Sequence, residues 1–129
     1  MRKLLIADDE DGIRSLVRMT LESDAYEILE AADGTEALEL ARAHRPDLLL
    51  LDVMMPGVTG LEVCRTLKSD PATAGITIVM LTARAQDSDR EAGRAAGAES
   101  YFTKPFSPVA LLRKVDEIFS GSASPGDGA

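Results

Sequence analysis

Four consecutive leucines, Leu48 to Leu51, stop abruptly at Asp52. Side chains of a strand alternate between its two faces, so a run that is apolar at every position leaves no face for water. Such a strand belongs in the middle of a parallel sheet covered by helices on both sides. Parallel neighbours can only be joined by crossovers, usually helical, so the chain around this run must alternate strands with helices.

The rest of the sequence obeys that demand. Lys3 to Ala7, Tyr26 to Ala31, Ile76 to Leu81 and Ser100 to Thr103 are short β-type runs. From Asp11 or Gly12 to Ser23, the positions Ile13, Leu16, Val17 and Leu21 draw one buried stripe at helical spacing. Asp33 and Glu36 have capping-box spacing for a helix that continues through Ala37, Leu38 and Ala41 to about His44, where Pro46 forbids continuation. Pro56, Gly57 and Gly60 mark a loop. Thr59 and Glu62 then cap a helix that turns Val63, Cys64 and Leu67 inward and closes at Asp70 and Pro71. An alanine-rich helix from about Gln86 to Ala96 stops at Gly97, and Ser107 with Pro108 opens a last helix with Leu111, Leu112, Val115, Ile118 and Phe119 on its inner face. Five β–α units in 129 residues give an open, doubly wound α/β sheet, since a closed eight-unit barrel needs about 250 residues.

One domain is expected over residues 1–119, with 120–129, mostly Gly, Ser and Pro, as a flexible tail or linker. Twenty-two acidic against 14 basic residues leave a net charge of −8, which disfavours direct nucleic-acid binding by this segment. The lone Cys64 excludes an internal disulfide, and no apolar run suits a signal peptide or a membrane span, so a reducing, cytoplasmic setting is expected. Cys64 reads as core packing and His44 as exposed.

Ligands of open α/β sheets bind beyond the carboxyl ends of the strands. Asp8 and Asp9, Asp52, Thr82 and Lys104 each follow a strand, so all should meet at that edge. Carboxylates gathered within a few ångströms repel by up to about 4 kcal/mol per close pair at an effective dielectric of 20, which protonation or a cation must relieve. Oxygen ligands without His or Cys suit Mg²⁺ and speak against zinc. With an ammonium from Lys104 and a hydroxyl from Thr82, the set can surround a tetrahedral anion, a constellation for phosphoryl transfer.

Over Arg2 to Phe119 the chain resembles the receiver domains of two-component response regulators. The resemblance is carried by Asp8-Asp9-Glu10, Leu51-Asp52-Val53-Met54-Met55-Pro56-Gly57, Leu81-Thr82-Ala83 and Tyr101-Phe102-Thr103-Lys104-Pro105-Phe106, in that order after four successive strand ends. It implies a flavodoxin-like (βα)5 fold with strand order 2-1-3-4-5. It implies that Asp52 takes a phosphoryl group from a sensor histidine kinase or phosphotransfer protein. Mg²⁺ would be held by Asp9, Asp52 and the Met54 backbone carbonyl, with Asp8 acting through water, while Lys104 pairs with the phosphoryl group.

The same resemblance makes Thr82 and Tyr101 a switch pair that reshapes the face formed by helix four, strand five and helix five. That face would serve a downstream output domain, a docking protein or a phosphorylation-dependent dimer. It also implies a cis bond between Lys104 and Pro105, and places Arg84 and Met54 where the lifetime of the phosphorylated state is tuned. An aspartate-nucleophile hydrolase would generally carry a second Asp two residues after Asp52, where this chain has Met54. A docking module unable to take phosphate would lack Asp52 or Lys104.

Overall fold

The computed structural model describes residues 2–22, 26–82, 87–104 and 106–121. At its centre β3 (Leu48–Asp52) is buried along its whole length, and it separates two cores. Leu49 and Leu51 enter one with Leu5, Ala7, Val63, Cys64 and Met80, whereas Leu48 and Leu50 enter the other with Leu4, Ile6, Val17, Leu111 and Val115. Strand alternation thus divides the leucine run between two helix layers.

Around it lie β1 (Arg2–Ala7), β2 (Tyr26–Ala31), β4 (Thr77–Thr82) and β5 (Ser100–Thr103), in the order β2-β1-β3-β4-β5 and all parallel. This is the flavodoxin-like strand order expected from the sequence. One face is covered by α2 (Gly34–His44), α3 (Gly60–Ser69) and α4 (Asp87–Ala96), the other by α1 (Asp11–Leu21) and α5 (Pro108–Gly121).

The helix ends show how the sequence sets these elements. Thr59 and Glu62 form the full reciprocal box: the Glu62 N–H donates to Thr59 Oγ1 (3.3 Å) and the Thr59 N–H to Glu62 Oε1 (3.1 Å). At α2, Asp33 Oδ1 accepts from the Glu36 N–H at 2.8 Å, but the Glu36 carboxylate reaches the N–H of Ala32 (2.7 Å) rather than that of Asp33, so the box is only half closed. Arg45 ends α2 in the left-handed region at φ 45°, a conformation unusual for a residue with a side chain. Ser107 Oγ accepts from the Ala110 N–H, as expected of an N-cap.

Three expectations are corrected. Leu112 does not face inward: it is 47% exposed, whereas Leu111 and Val115 are fully buried. One position is about 100° of helical rotation, and Leu112 falls outside the stripe formed by its neighbours. Helix α1 ends at Leu21 with Glu22 as its C-cap, short of Ser23, which lies outside the described residues. At the other end of the chain α5 continues through Ser120 to Gly121, residues read from sequence as part of the tail; 122–129 lie outside the described residues.

Candidate functional site

The pairing register brings the chemistry-bearing residues to one edge. Ala7 of β1 pairs with Leu51 of β3, and Asp52 with Leu81 of β4, so Asp8, Asp52 and Thr82 end adjacent strands at nearly the same level. Thr82 pairs with Thr103, and the next residue, Lys104, donates its N–H to the Thr82 carbonyl at 2.7 Å. Two glycines let the surrounding helices close in. A Cβ on Gly60 would lie 2.1 Å from the Asp52 carbonyl oxygen, and one on Gly34 would lie 2.3 Å from that of Val58. Only hydrogen at those positions allows α3 and α2 to start so close to the β3–α3 turn.

Asp8 is fully buried, Asp52 nearly so, and Asp9 is exposed. Each can offer one carboxylate oxygen such that the three atoms lie within 4.8 Å of one another. The Asp8 side chain is fixed through Oδ1, which accepts from the Glu10 N–H at 2.9 Å. Its Oδ2 faces the Lys104 ammonium at 2.8 Å, and that ammonium lies 3.5 Å from Asp52 Oδ2. Asp52 Oδ1 accepts from the Met54 N–H at 3.2 Å, while the Met54 side chain points outward, 73% exposed.

These neighbours set the charge states. Burial, then the charge of Asp8, pushes the Asp52 pKa up to about 6, against the pull of Lys104 and the Met54 N–H. Burial works to lower the Lys104 pKa, but its contact with Asp8 and the negative charges of Asp52, Asp8 and Glu10 outweigh that and raise it. At neutral pH the edge therefore carries a protonated Lys104 beside crowded carboxylates. An oxygen-only donor set of this spacing fits a hard divalent cation that keeps part of its water shell, and no thiol or imidazole of the cluster competes for it.

Thr82 is buried at the end of β4. Tyr101 is half-buried on β5, pairs with Met80 and packs against the α2–α3–α4 core. With Arg94, Ala98, Glu99 and Ser100 it lines a cavity of about 270 Å³. Pro105 and Arg84 lie outside the described residues. Cys64 is packed in the core with its Sγ 3.4 Å from the Ala96 carbonyl, and His44 is exposed.

Sequence reading missed Arg14. Its Nη1 donates to the Asp8 carbonyl at 2.7 Å, and its guanidinium also contacts Asp11 and Glu30. A side chain that serves a backbone carbonyl leaves no spacing pattern; the one available hint was Arg14 and Arg18 a helical turn apart on a stripe otherwise flanked by acids.

The chain is similar to known proteins in both sequence and fold. The family model for the response regulator receiver domain matches residues 4–116. The phosphate regulon transcriptional regulatory protein PhoB of Pseudomonas aeruginosa is 40% identical over 126 residues, covering 98% of this chain and 55% of that protein. The transcriptional regulatory protein ResD of Bacillus subtilis is 45% identical over 116 residues, covering 90% and 47%. The chain thus spans about half the length of the curated relatives it matches. Among solved structures, the chemotaxis protein CheY4 of Vibrio cholerae matches with a TM-score of 0.86 and 36% identity, over 92% of this chain and 98% of that one.

Proposed function

The chain belongs to the response-regulator receiver family of two-component systems, and from that premise we propose that it switches state when Asp52 accepts a phosphoryl group from a sensor histidine kinase or a phosphotransfer protein. The observation that carries this reading is the convergence of Asp8, Asp9 and Asp52 within 4.8 Å, with Lys104 between Asp8 and Asp52. An Asp52 carboxylate oxygen bonds to phosphorus as the bond from phosphorus to the donor imidazole nitrogen breaks; the nitrogen keeps the electron pair and takes a proton.

Asp9, Asp52 and the Met54 backbone carbonyl would hold Mg²⁺, with Asp8 acting through water, and the ion when bound would neutralise charge shared by the carboxylates and the phosphoryl oxygens. Lys104 pairs with the new phosphoryl group, and the Met54 N–H keeps the acceptor carboxylate oriented. Thr82, at the end of β4, bonds a phosphoryl oxygen, and Tyr101 turns inward in response. Phosphorylation turns a carboxylate of charge −1 into an acyl phosphate of about −2, and this added negative charge with its extra acceptor oxygens supports a two-state change of this kind.

The surface that changes is the face of α4, β5 and α5, where Val109 and Leu112 are exposed on α5. It would meet an output domain, a docking protein or a second copy of the chain. The net charge of −8 supports leaving any nucleic-acid contact to another domain. A cytoplasmic setting accords with this role, and no described helix is long and apolar enough to cross a membrane. The module acts as a switch on itself and does not turn over a separate small substrate.

Incubation with Mg²⁺ and a small acyl phosphate, followed by intact-mass and peptide analysis, is the direct test. One phosphoryl group on the Asp52 peptide, absent in Asp52→Asn, is expected. No mass gain in the wild-type chain would overturn the reading.

A further inference from the structure

We infer that Arg14 is a positioning residue for the cation site: it holds the β1–α1 turn, and with it Asp8 and Asp9, in the arrangement that binds a divalent ion. The inference rests on the proposed cation site and concerns a residue outside it. Besides the Lys104 ammonium at its Oδ2 (2.8 Å), Asp8 is anchored at three further atoms. Its N–H donates to the Ala31 carbonyl (3.1 Å), its Oδ1 accepts from the Glu10 N–H (2.9 Å), and its carbonyl accepts from Arg14 Nη1 (2.7 Å). The first two bonds are made by backbone groups, whereas the third depends on one side chain.

That side chain is itself braced. Arg14 Nε donates to Glu30 Oε1 at 3.3 Å, its Nη2 contacts Asp11 at the start of α1, and the side chain is only 15% exposed. Glu30 on β2 also receives Arg18 Nε at 2.6 Å, so two turns of α1 are tied to the neighbouring strand through one carboxylate. The planar guanidinium, with five donors in a fixed fork, reaches a carbonyl and two carboxylates from three separate nitrogens, whereas an ammonium would need all three acceptors around a single nitrogen. Truncation would leave the carbonyl of a fully buried residue without its donor and the turn free to shift.

The sign of the effect separates positioning from plain electrostatics. Arg14 is a cation near a cation site, so by Coulomb's law alone its removal should tighten Mg²⁺ binding. Positioning requires the opposite. In Mg²⁺ titrations of the wild-type chain, Arg14→Ala and Arg14→Lys, Arg14→Ala is expected to weaken affinity about fivefold, the fold-change to which a hydrogen bond of about 1 kcal/mol converts. Arg14→Lys, which restores a cation and one donor, is expected to recover part of that loss.

Hydrogen exchange gives a readout that needs no metal. The Glu10 amide, bonded to Asp8 Oδ1, is expected to lose protection in Arg14→Ala while amides of β4 keep theirs. Equal or tighter Mg²⁺ binding in both variants, or an unchanged Glu10 amide, overturns the inference. If the wild-type chain binds no Mg²⁺, the proposed cation site fails, and the exchange result alone then decides whether Arg14 positions the turn. Should Arg14→Ala not fold, Arg14→Lys carries both measurements, with weaker binding and faster Glu10 exchange than wild type as the expected result.

Discussion

Lys104 lies closer to Asp8 than to Asp52: its ammonium is 2.8 Å from Asp8 Oδ2 and 3.5 Å from Asp52 Oδ2. Its principal contact is thus the fully buried carboxylate, and Asp52 shares the charge at longer range.

Replacing Lys104 by Met should therefore act through Asp8 as well as Asp52. Removing one partner of a buried ion pair costs about 3–5 kcal/mol, and less at a solvent-reached edge such as this one, where Lys104 is 12% exposed. We expect Lys104→Met to lose about 1–3 kcal/mol in metal-free urea unfolding, to bind Mg²⁺ more tightly because a competing cation is gone, and to accept phosphate more slowly. Unchanged metal-free stability would argue against the contact with Asp8.

Asp52 has a pKa raised to about 6, so the native state holds its proton more firmly than the unfolded chain. Stability contributed by the protonated form is complete at low pH and is lost as pH rises from about 4 to about 6. Asp52→Asn removes this loss. Without metal at pH 7.5 the variant should be more stable than wild type by up to about 3 kcal/mol, and the gap should narrow towards pH 4. Parallel thermal melts across that range are the check, and a gap independent of pH would contradict it.

The same pKa bears on chemistry, because only the ionised carboxylate is a nucleophile. With Mg²⁺ below saturation, the initial rate of labelling by an acyl phosphate should fall about tenfold for each unit of pH below 6, and level off above about 7. Saturating Mg²⁺ favours the ionised form and should move that profile to lower pH.

Metal binding should be visible as stability. If Mg²⁺ binds only the native state, a concentration one hundred times its dissociation constant adds about 2.7 kcal/mol. Asp9→Ala should remove most of that increment while leaving the metal-free melt within about 0.5 kcal/mol, since Asp9 is exposed.

Two glycines should respond in opposite directions to the same substitution. Gly60→Ala puts a carbon 2.1 Å from the Asp52 carbonyl oxygen, so the backbone at Asp52 must move; a loss of about 1–3 kcal/mol and slower labelling are expected. Gly12 on α1 has open space around its Cβ position, and Gly12→Ala should gain about 0.5–1 kcal/mol of helix stability. Urea unfolding of the two variants makes the comparison.

Much of this molecule was legible because two periodicities carry most of the information. A period of 2 with no polar face marked β3 as central, and spacing of 3 and 4 marked the helices, so the order of elements and the acidic edge followed. What escaped lies in a single rotation or a single side-chain reach. Leu112 looked like part of the inner stripe because Leu111 is its neighbour, yet the turn of the helix carries it outward. Glu36 sits at capping-box spacing but bonds Ala32, one residue earlier. Arg14 serves a carbonyl, an acceptor every residue possesses and no motif can announce. The nearness of Lys104 to Asp8 rather than Asp52 depends on side-chain paths that strand order alone does not fix.

Because the leucines of β3 are claimed alternately by two separate cores, the segment beneath Asp52 is wedged from above and below at once. Sliding it along its axis by one residue would swap every leucine into the wrong layer. Asp52 is thus mounted on a strand that cannot slip without disturbing both cores. A group added at the tip of that strand would have to act outward through the side chains and turns that ring it, with the platform itself standing still.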